Sequence, residues 1–201
     1  MKILVADLEG VFLPEIWVSV AEKTGIEGLK LTTRDISDYD VLMTKRLSLA
    51  RDNKLKVQDI QKIIATLEPL DGALDILTWI REESQIIILS DTFEEFAKPL
   101  MAKLNYPTLF CHNLIIDAQG NITGYKLRIN NQKTMAVRAL KSLNYQVLAF
   151  GDSYNDVGMI QEAHEGFFFN PPDSLIAEYP QIAVTRNYKE MKSMIATALK
   201  A

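Results

Sequence analysis

The stretch VLAFGDSYND, residues 147–156, joins a short apolar run to a turn rich in acidic and amide side chains. Apolar runs of this length are typical of strands that are buried on both faces of a parallel sheet. The turn places two carboxylates, Asp152 and Asp156, and the amide of Asn155 close together after the strand. This is the most specific local pattern in the chain. Its alternative is a loop that merely contains good turn formers.

Two further apolar runs end in the same way. Residues 3–6 end at Asp7, and residues 86–89 end at Ser90 and Asp91. Between the three runs lie stretches whose apolar residues recur at helical spacing. This alternation of buried strands and helices predicts an α/β fold with a doubly wound parallel sheet.

Ligands of doubly wound sheets bind in the crevice beyond the carboxyl ends of the strands. Each of the three predicted strands is followed there by acidic or hydroxyl side chains. These side chains are Asp7, Glu9, Ser90, Asp91, Asp152 and Asp156. We therefore expect one polar site at this edge of the sheet.

Residues 14–68 interrupt the alternation after the first strand with a charged segment that favours helices. The predicted helices cover residues 15–23, 39–51 and 57–66. We interpret the segment as a small helical cap, inserted into a core that comprises residues 1–13 and 69–201. In the alternative interpretation, these helices simply pack on the sheet. Farther along, residues 114–127 alternate apolar and polar side chains around a turn, which predicts a hairpin at the edge of the sheet.

Composition excludes several classes of protein. The chain has 201 residues and a net charge of -4, which argues against a protein that binds nucleic acid by neutralising phosphates. One cysteine and two histidines argue against disulfides and against zinc sites built from cysteine or histidine. Any metal would therefore be held by oxygen ligands. No apolar stretch has the length of a signal peptide or a membrane span, so we expect a cytoplasmic protein.

Asp7 and Glu9 have the side chains that phosphoryl transfer through a carboxylate requires. One carboxylate can act as a nucleophile that forms an acyl-phosphate, and the other can act as general acid and base. Their like charges call for a nearby cation, and hard oxygen ligands suit Mg²⁺. In the alternative interpretation, two acidic residues end the strand only because they are solvated there.

The other polar strand ends offer partners for a phosphate. The Ser90 hydroxyl, together with free N–H groups of the next helix, could hold a phosphate oxygen, although Ser90 could also be a plain helix cap. Lys133 could neutralise the nucleophile and the developing phosphoryl charge, although a single lysine is usually solvated. Asp152 could bind the metal, and Asp156 could orient Lys133 or a metal-bound water.

The order and spacing of these residues resemble the four motifs of the haloacid dehalogenase-like phosphohydrolases. Residues 7–9 (DLE) resemble the first motif, Ser90 the second, Lys133 the third and residues 151–156 the fourth. The resemblance covers nearly the whole chain, including the helical segment after the first strand. It implies a Rossmann-like core, Mg²⁺ dependence and an aspartyl-phosphate intermediate. The implied metal ligands are Asp7, Glu9 and Asp152.

Within that superfamily, the chain looks most like the phosphoserine phosphatases. The resemblance implies that Glu15 binds the substrate amino group, that Arg46 binds its carboxylate and that Asn155 contacts the substrate. Tyr39 matches a cap position that shields the site from water. The substrate-binding set is then Glu15, Arg46, Ser90, Asp91, Lys133 and Asn155.

Glu9 departs from the aspartate that usually occupies its position in the first motif. With Pro14 and Glu15, it resembles the bacterial bifunctional phosphoserine phosphatase/homoserine phosphotransferases. This implies hydrolysis of phosphoserine, phosphoryl transfer to homoserine, and a homodimer. The alternatives are a phosphatase of another small phosphorylated metabolite and a binding protein in which Glu9 prevents turnover.

Overall fold

The computed structural model describes residues 1–33, 35–36 and 38–200. The strands are β1 Lys2–Ala6, β2 Gln85–Phe93, β3 Thr108–Ile116, β4 Ile122–Lys126, β5 Gln146–Gly151, β6 Glu165–Phe169 and β7 Ala183–Thr185. The helices are α1 Ile16–Thr24, α2 Tyr39–Asp52, α3 Val57–Ile64, α4 Ala73–Glu83, α5 Glu94–Met101, α6 Gln132–Ser142, α7 Val157–Glu162, α8 Asp173–Glu178 and α9 Tyr188–Lys200. None of the helices in the described ranges combines the length and apolar composition that a bilayer crossing requires.

The strands form one sheet in the order β4-β3-β2-β1-β5-β6-β7. All neighbours are parallel except β3 and β4, which form an antiparallel hairpin at one edge. The hairpin confirms the prediction for residues 114–127. β2 and β3 lie on one side of β1 in the sheet, and β5 and β6, which come later in the chain, lie on the other side. This reversal places the carboxyl ends of β1, β2 and β5 side by side.

Both faces of the sheet are covered by helices. Along β1, Leu4 and Ala6 belong to one hydrophobic cluster, whereas Ile3 and Val5 belong to another. Successive side chains of a strand point to opposite faces, so the two clusters lie on the two sides of the sheet. Helices α1 to α5 and α9 contribute to the first cluster, and α6, α7 and α8 to the second. The predicted doubly wound α/β fold is confirmed.

The three helices expected between the first strand and α4 are present as α1, α2 and α3. Their bounds differ from the predicted ones by at most two residues. Met43, Ile60 and Ile64 from these helices belong to the same hydrophobic cluster as Leu4 and Ala6 of the sheet. Because one cluster includes both parts, the division into a cap of residues 14–68 and a separate core stays a prediction.

The end of β2 differs from the sequence prediction. The strand continues through Ser90 and Asp91 to Phe93, and α5 begins only at Glu94. Ser90 is therefore neither a helix cap nor adjacent to free N–H groups of the next helix, which corrects both sequence interpretations of its backbone setting. Thr92 and Phe93 favour extended structure, and the pairing with β3 resumes at Phe93 after an irregularity.

Candidate active site

Asp7 follows β1 directly, and its backbone N–H donates to the carbonyl of Phe150 at 3.1 Å. The ammonium of Lys133, from the first turn of α6, lies 2.9 Å from Asp7 Oδ1 and 2.7 Å from Asp156 Oδ1. All three charged side chains are buried. Their contacts identify Lys133 as the cation that this carboxylate cluster surrounds.

Burial and mutual charge set the protonation of this cluster. Burial, followed by the charge of Asp156, raises the pKa of Asp7 well above its usual range, and Lys133 only partly opposes this. Burial disfavours the ammonium of Lys133, but Asp156 and Asp7 outweigh that effect and raise its pKa. Lys133 is therefore a permanent cation, whereas an ionised Asp7 requires additional positive charge.

Asp156 braces the turn after β5. Its Oδ2 accepts the backbone N–H groups of Asp152 and Ser153, both at 3.0 Å, and lies 3.2 Å from the Ser153 hydroxyl oxygen. A Cβ at Gly151 would collide with the Asp156 carboxyl group, so this close approach requires glycine. Asp156 thus fixes the loop that carries Asp152 and, through its other oxygen, the ammonium of Lys133.

Asp7, Asp152 and Asp156 offer carboxylate oxygens that all lie within 4.8 Å of one another. If all three are ionised, Lys133 leaves a surplus of two negative charges, which a divalent cation would balance. Asp156 already accepts several hydrogen bonds, so Asp7 and Asp152 are the better candidate ligands. Glu9 is not part of this carboxylate group.

Gly10 lets the turn after β1 approach Asp152 closely. Its φ is 76°, and a Cβ there would collide with the Asp152 carboxylate, so this position requires glycine.

Glu9 lies in a second part of the site, a cavity of about 70 Å³ that Asp7 and Glu15 also line. Its Oε2 accepts the backbone N–H of Ile16 at 2.8 Å, at the start of α1. Burial, followed by the charge of Glu15, raises the pKa of Glu9 to about 8. Glu9 consequently holds a proton at neutral pH, as a general acid must.

Arg46 of α2 lines the same cavity and is 8% exposed. One guanidinium nitrogen, Nη2, donates to the carbonyl of Leu31 at 2.7 Å, and Cζ lies 5.2 Å from the centre of the Trp17 ring. Within the part of the chain that the structure describes, its Nε is buried and has no hydrogen-bond partner. A buried donor without an acceptor is unfavourable, so this atom favours the binding of an anionic group.

The opposite wall is formed by the end of β2 and the turn after β5. Ser90 is buried, and its hydroxyl accepts the Thr92 N–H at 3.3 Å. The Asp91 carboxylate accepts an N–H of the Asn155 amide at 2.8 Å. The Tyr39 hydroxyl donates to the Asp91 carbonyl at 2.9 Å, which joins α2 to this wall.

A second cavity of about 540 Å³ adjoins the first. The two cavities share the side chains of Thr33, Tyr39, Asp91 and Asn155. Asp91 and Asn155 therefore form part of the boundary between the smaller pocket, which contains Asp7, and a wider space beside it.

This geometry agrees with the comparison to known sequences. The sequence model of the haloacid dehalogenase-like hydrolase family matches residues 2–164. The chain belongs to the haloacid dehalogenase-like hydrolases. The match spans all four motif regions, which confirms the resemblance that the sequence motifs indicate.

Two curated relatives of this haloacid dehalogenase-like hydrolase align over nearly the whole chain. It is 53% identical over 192 residues to phosphoserine phosphatase ThrH of Pseudomonas aeruginosa, an alignment that covers 96% of this chain and 94% of the relative. It is 50% identical over 192 residues to a phosphoserine phosphatase of Pseudomonas syringae pv. tomato, which covers 96% of this chain and 81% of the relative.

Solved structures show the same fold at lower sequence identity. A structure described as a phospho-aspartyl intermediate analogue of phosphoserine phosphatase superposes with a TM-score of 0.76 at 20% identity, covering 96% of this chain and 98% of the other. A substrate-bound phosphoserine phosphatase complex gives a TM-score of 0.75 at 19% identity, covering 96% and 97%. These likenesses establish the architecture of the hydrolase.

The structure brings the sequence-predicted residues of this hydrolase into two adjoining groups. Asp7, Lys133, Asp152 and Asp156 form the carboxylate cluster. The walls of the 70 Å³ cavity include Asp7, Glu9, Glu15, Arg46, Ser90, Asp91 and Asn155. The individual roles stay predictions, because position alone does not test them.

Three side chains at the site were missed by sequence reasoning. Trp17 contacts the guanidinium of Arg46, whereas sequence reasoning assigned it to the core alone. His112 and Gln132 contact Asp91. Gln132 could have been found from its position beside Lys133. Nothing in the sequence around His112, in the middle of β3, distinguishes it from a core histidine.

Proposed function

We propose that this chain is a Mg²⁺-dependent phosphoserine phosphatase that forms a phosphoryl-enzyme at Asp7 and also transfers the phosphoryl group to homoserine. The names of the two curated relatives support the substrate. The observation that carries the proposal is the unpartnered Nε of Arg46, whose side chain lines the cavity that Asp7 and Glu15 also line. A cation and a carboxylate together suit a small molecule that bears both a carboxylate and an amino group.

In the first half-reaction, a carboxylate oxygen of Asp7 forms a bond to phosphorus while the bond from phosphorus to the serine oxygen breaks. Lys133 favours the ionised form of Asp7, which a bound divalent cation would complete, and with the Ser90 hydroxyl it stabilises the charge on the phosphoryl oxygens. Glu9 gives its proton to the departing serine oxygen. Mg²⁺ would be held by Asp7, Asp152 and the backbone carbonyl of Glu9, and it would neutralise phosphoryl charge when bound.

In the second half-reaction, the ionised Glu9 removes a proton from the acceptor hydroxyl. The acceptor oxygen attacks phosphorus, and the bond to Asp7 breaks, which regenerates its carboxylate. Water as the acceptor yields inorganic phosphate, and homoserine yields phosphohomoserine. Serine and homoserine share the amino and carboxylate groups that Glu15 and Arg46 would hold, so one pocket can serve both.

Phosphorus NMR of the protein with phosphoserine and Mg²⁺, with and without L-homoserine, tests both halves of the proposal. We expect inorganic phosphate in the first sample and an additional phosphohomoserine signal in the second. Phosphate alone in both samples would limit the enzyme to hydrolysis. An unchanged phosphoserine signal in both would overturn the substrate assignment.

The proton held by Glu9 leads to a prediction that depends on the leaving group. Glu9→Gln can still accept the Ile16 N–H but cannot protonate serine, so kcat/KM for phosphoserine should fall about a hundredfold or more. With p-nitrophenyl phosphate, whose leaving group departs without a proton, kcat/KM should fall far less. The comparison uses kcat/KM because this constant reports the step that phosphorylates Asp7. Equal losses with both substrates would contradict the assignment of Glu9 as the general acid.

A further inference from the structure

We propose that His112 is a positioning residue, which holds the Asp91 carboxylate so that Asp91 in turn fixes the orientation of the Asn155 amide. The inference rests on the proposed function in one respect, namely that Asn155 contacts the substrate. His112 itself lines the wider cavity but not the smaller one, and it has no assigned role in the reaction.

The Asp91 carboxylate is contacted by side-chain N–H groups of three residues. Its Oδ2 accepts Asn155 Nδ2 at 2.8 Å, and its Oδ1 accepts Gln132 Nε2 at 3.1 Å and lies 3.4 Å from His112 Nε2. Burial would raise the pKa of Asp91, but the charge of Lys133 and these N–H bonds hold it well below its usual range. The carboxylate is therefore a permanent acceptor at the boundary between the two cavities.

A permanent acceptor decides which way the Asn155 amide points. Its Oδ1 accepts the Ser153 hydroxyl at 2.5 Å, while its Nδ2 donates to Asp91. A flipped amide would place its oxygen against the Asp91 carboxylate, which is repulsive. In the observed orientation, only one of the two Nδ2 hydrogens is used by Asp91. Asn155 lines the smaller cavity, so under the proposed function the second Nδ2 hydrogen is the donor offered to the substrate.

The orientation of the His112 ring is equally determined. The imidazole is 3% exposed, and its Nδ1 accepts the backbone N–H of Arg128 at 3.1 Å. A neutral imidazole with an acceptor at Nδ1 carries its proton at Nε2, and this is the nitrogen that faces Asp91. His112 therefore connects the loop before α6 to the end of β2.

Gln132 makes a parallel connection. Its Nε2 donates to the backbone carbonyl of Ser90 at 2.5 Å as well as to Asp91, and its Oε1 accepts Arg128 Nε at 3.3 Å. Gln132 directly precedes Lys133 in the chain. Gln132 therefore holds both the strand end and Asp91 from α6, whereas His112 contacts the same Asp91 oxygen from β3.

Two substitutions of His112 separate these contacts. His112→Gln places an amide N–H near the position of Nε2 and keeps a donor to Asp91, but it loses the acceptor for the Arg128 N–H. His112→Asn keeps an acceptor near the position of Nδ1 and loses the donor to Asp91. Both variants lose the ring that packs against Tyr39 and Phe93, and asparagine is one methylene smaller than glutamine, so their stabilities are compared as well.

We expect kcat/KM for phosphoserine to fall about tenfold in His112→Asn and to stay within about threefold of the wild type in His112→Gln. Equal losses in the two variants, or a larger loss in His112→Gln, would overturn the proposal, because packing alone would then explain the effect. No loss in either variant would also overturn it. Thermal unfolding of both variants measures the shared effect on stability.

Proton–nitrogen NMR supplies a readout that needs no substrate. The side-chain amide signals of Asn155, assigned by their absence in Asn155→Ser, should coincide in the wild type and His112→Gln and should shift in His112→Asn. Unshifted signals in His112→Asn would overturn the proposal. If the wild type fails to hydrolyse phosphoserine, the proposed function fails, whereas these spectra still decide whether His112 orients Asn155.

Discussion

Asp7→Asn should reduce turnover by at least about a thousandfold while the protein keeps its fold. The amide has the shape of the carboxylate but cannot attack phosphorus. Lys133 keeps its ion pair with Asp156 at 2.7 Å, so the ammonium is not left unpaired. Release of phosphate from phosphoserine and from p-nitrophenyl phosphate measures the loss. Activity close to that of the wild type would exclude Asp7 as the nucleophile.

The same substitution should not destabilise the protein when no divalent cation is present. The pKa of Asp7 is higher in the folded protein than in the unfolded chain. The free energy of unfolding therefore falls as the pH rises above the pKa that Asp7 has in the unfolded chain, because the folded protein disfavours the ionised carboxylate. Removing that charge should leave the free energy of unfolding at neutral pH equal to or above that of the wild type. Urea unfolding with EDTA at pH 7 measures this.

Asp156→Asn is the matched control in the same cluster. An amide there must place its NH₂ group against either the Lys133 ammonium or the backbone N–H groups of Asp152 and Ser153. We expect a loss of about 3–5 kcal/mol in the free energy of unfolding, because one partner of a buried pair is removed. If Asp7→Asn lowers the free energy of unfolding as much as Asp156→Asn does, the prediction that only Asp156 stabilises the fold is wrong.

The three carboxylates of the cluster could be predicted from sequence because each one lies in a segment that follows an apolar run. In a parallel sheet, the ends of such runs meet at one edge, so Asp7 and Asp152 had to be neighbours once β1 and β5 were neighbours. Lys133 needed more information, since a lysine that opens a helix gives no local signal of its two buried partners. The motif order of the family supplied that information.

The parts that could not be predicted depend on contacts between distant segments. The protonation of Glu9 follows from burial and from Glu15 across the cavity, neither of which is encoded in the spacing of residues 7–9. His112 reaches Asp91 only because β3 pairs with β2 in one register, with His112 opposite Phe93. Such a register depends on the packing of the whole sheet, so a local pattern cannot reveal it.

Ser90 shows how a correct residue can come with an incorrect backbone setting. Its position after an apolar run identifies it, but the sequence predicts that the strand ends there. The strand continues to Phe93, so Ser90 presents its hydroxyl from an extended segment rather than from the start of a helix. Any phosphate contact at this point would therefore use the side chain of Ser90 and not a helix N-terminus.

Arg46→Gln should change which substrates the enzyme accepts. If the unpartnered Nε and its guanidinium bind the substrate carboxylate, kcat/KM for phosphoserine should fall by roughly 30- to 1,000-fold. Phosphoethanolamine keeps the amino group and lacks the carboxylate, so its kcat/KM should change by less than about threefold, because this substrate makes no contact that the variant removes. Lys45→Gln, which removes an exposed neighbouring charge on α2, should affect neither substrate.

The ratio of the two losses separates recognition from structure. Arg46 also donates to the Leu31 carbonyl and packs on Trp17, so the variant could loosen the segment that covers the cavity. That effect would lower kcat/KM for both substrates together, because both need the same Asp7 and Lys133. Equal losses would thus assign Arg46 to holding α2 and the Leu31 segment, and would favour a phosphatase of another small phosphorylated metabolite. A loss confined to phosphoserine would place the carboxylate site at Arg46, and Arg46→Lys should then recover only part of it, since lysine restores the charge without the donor at Nε.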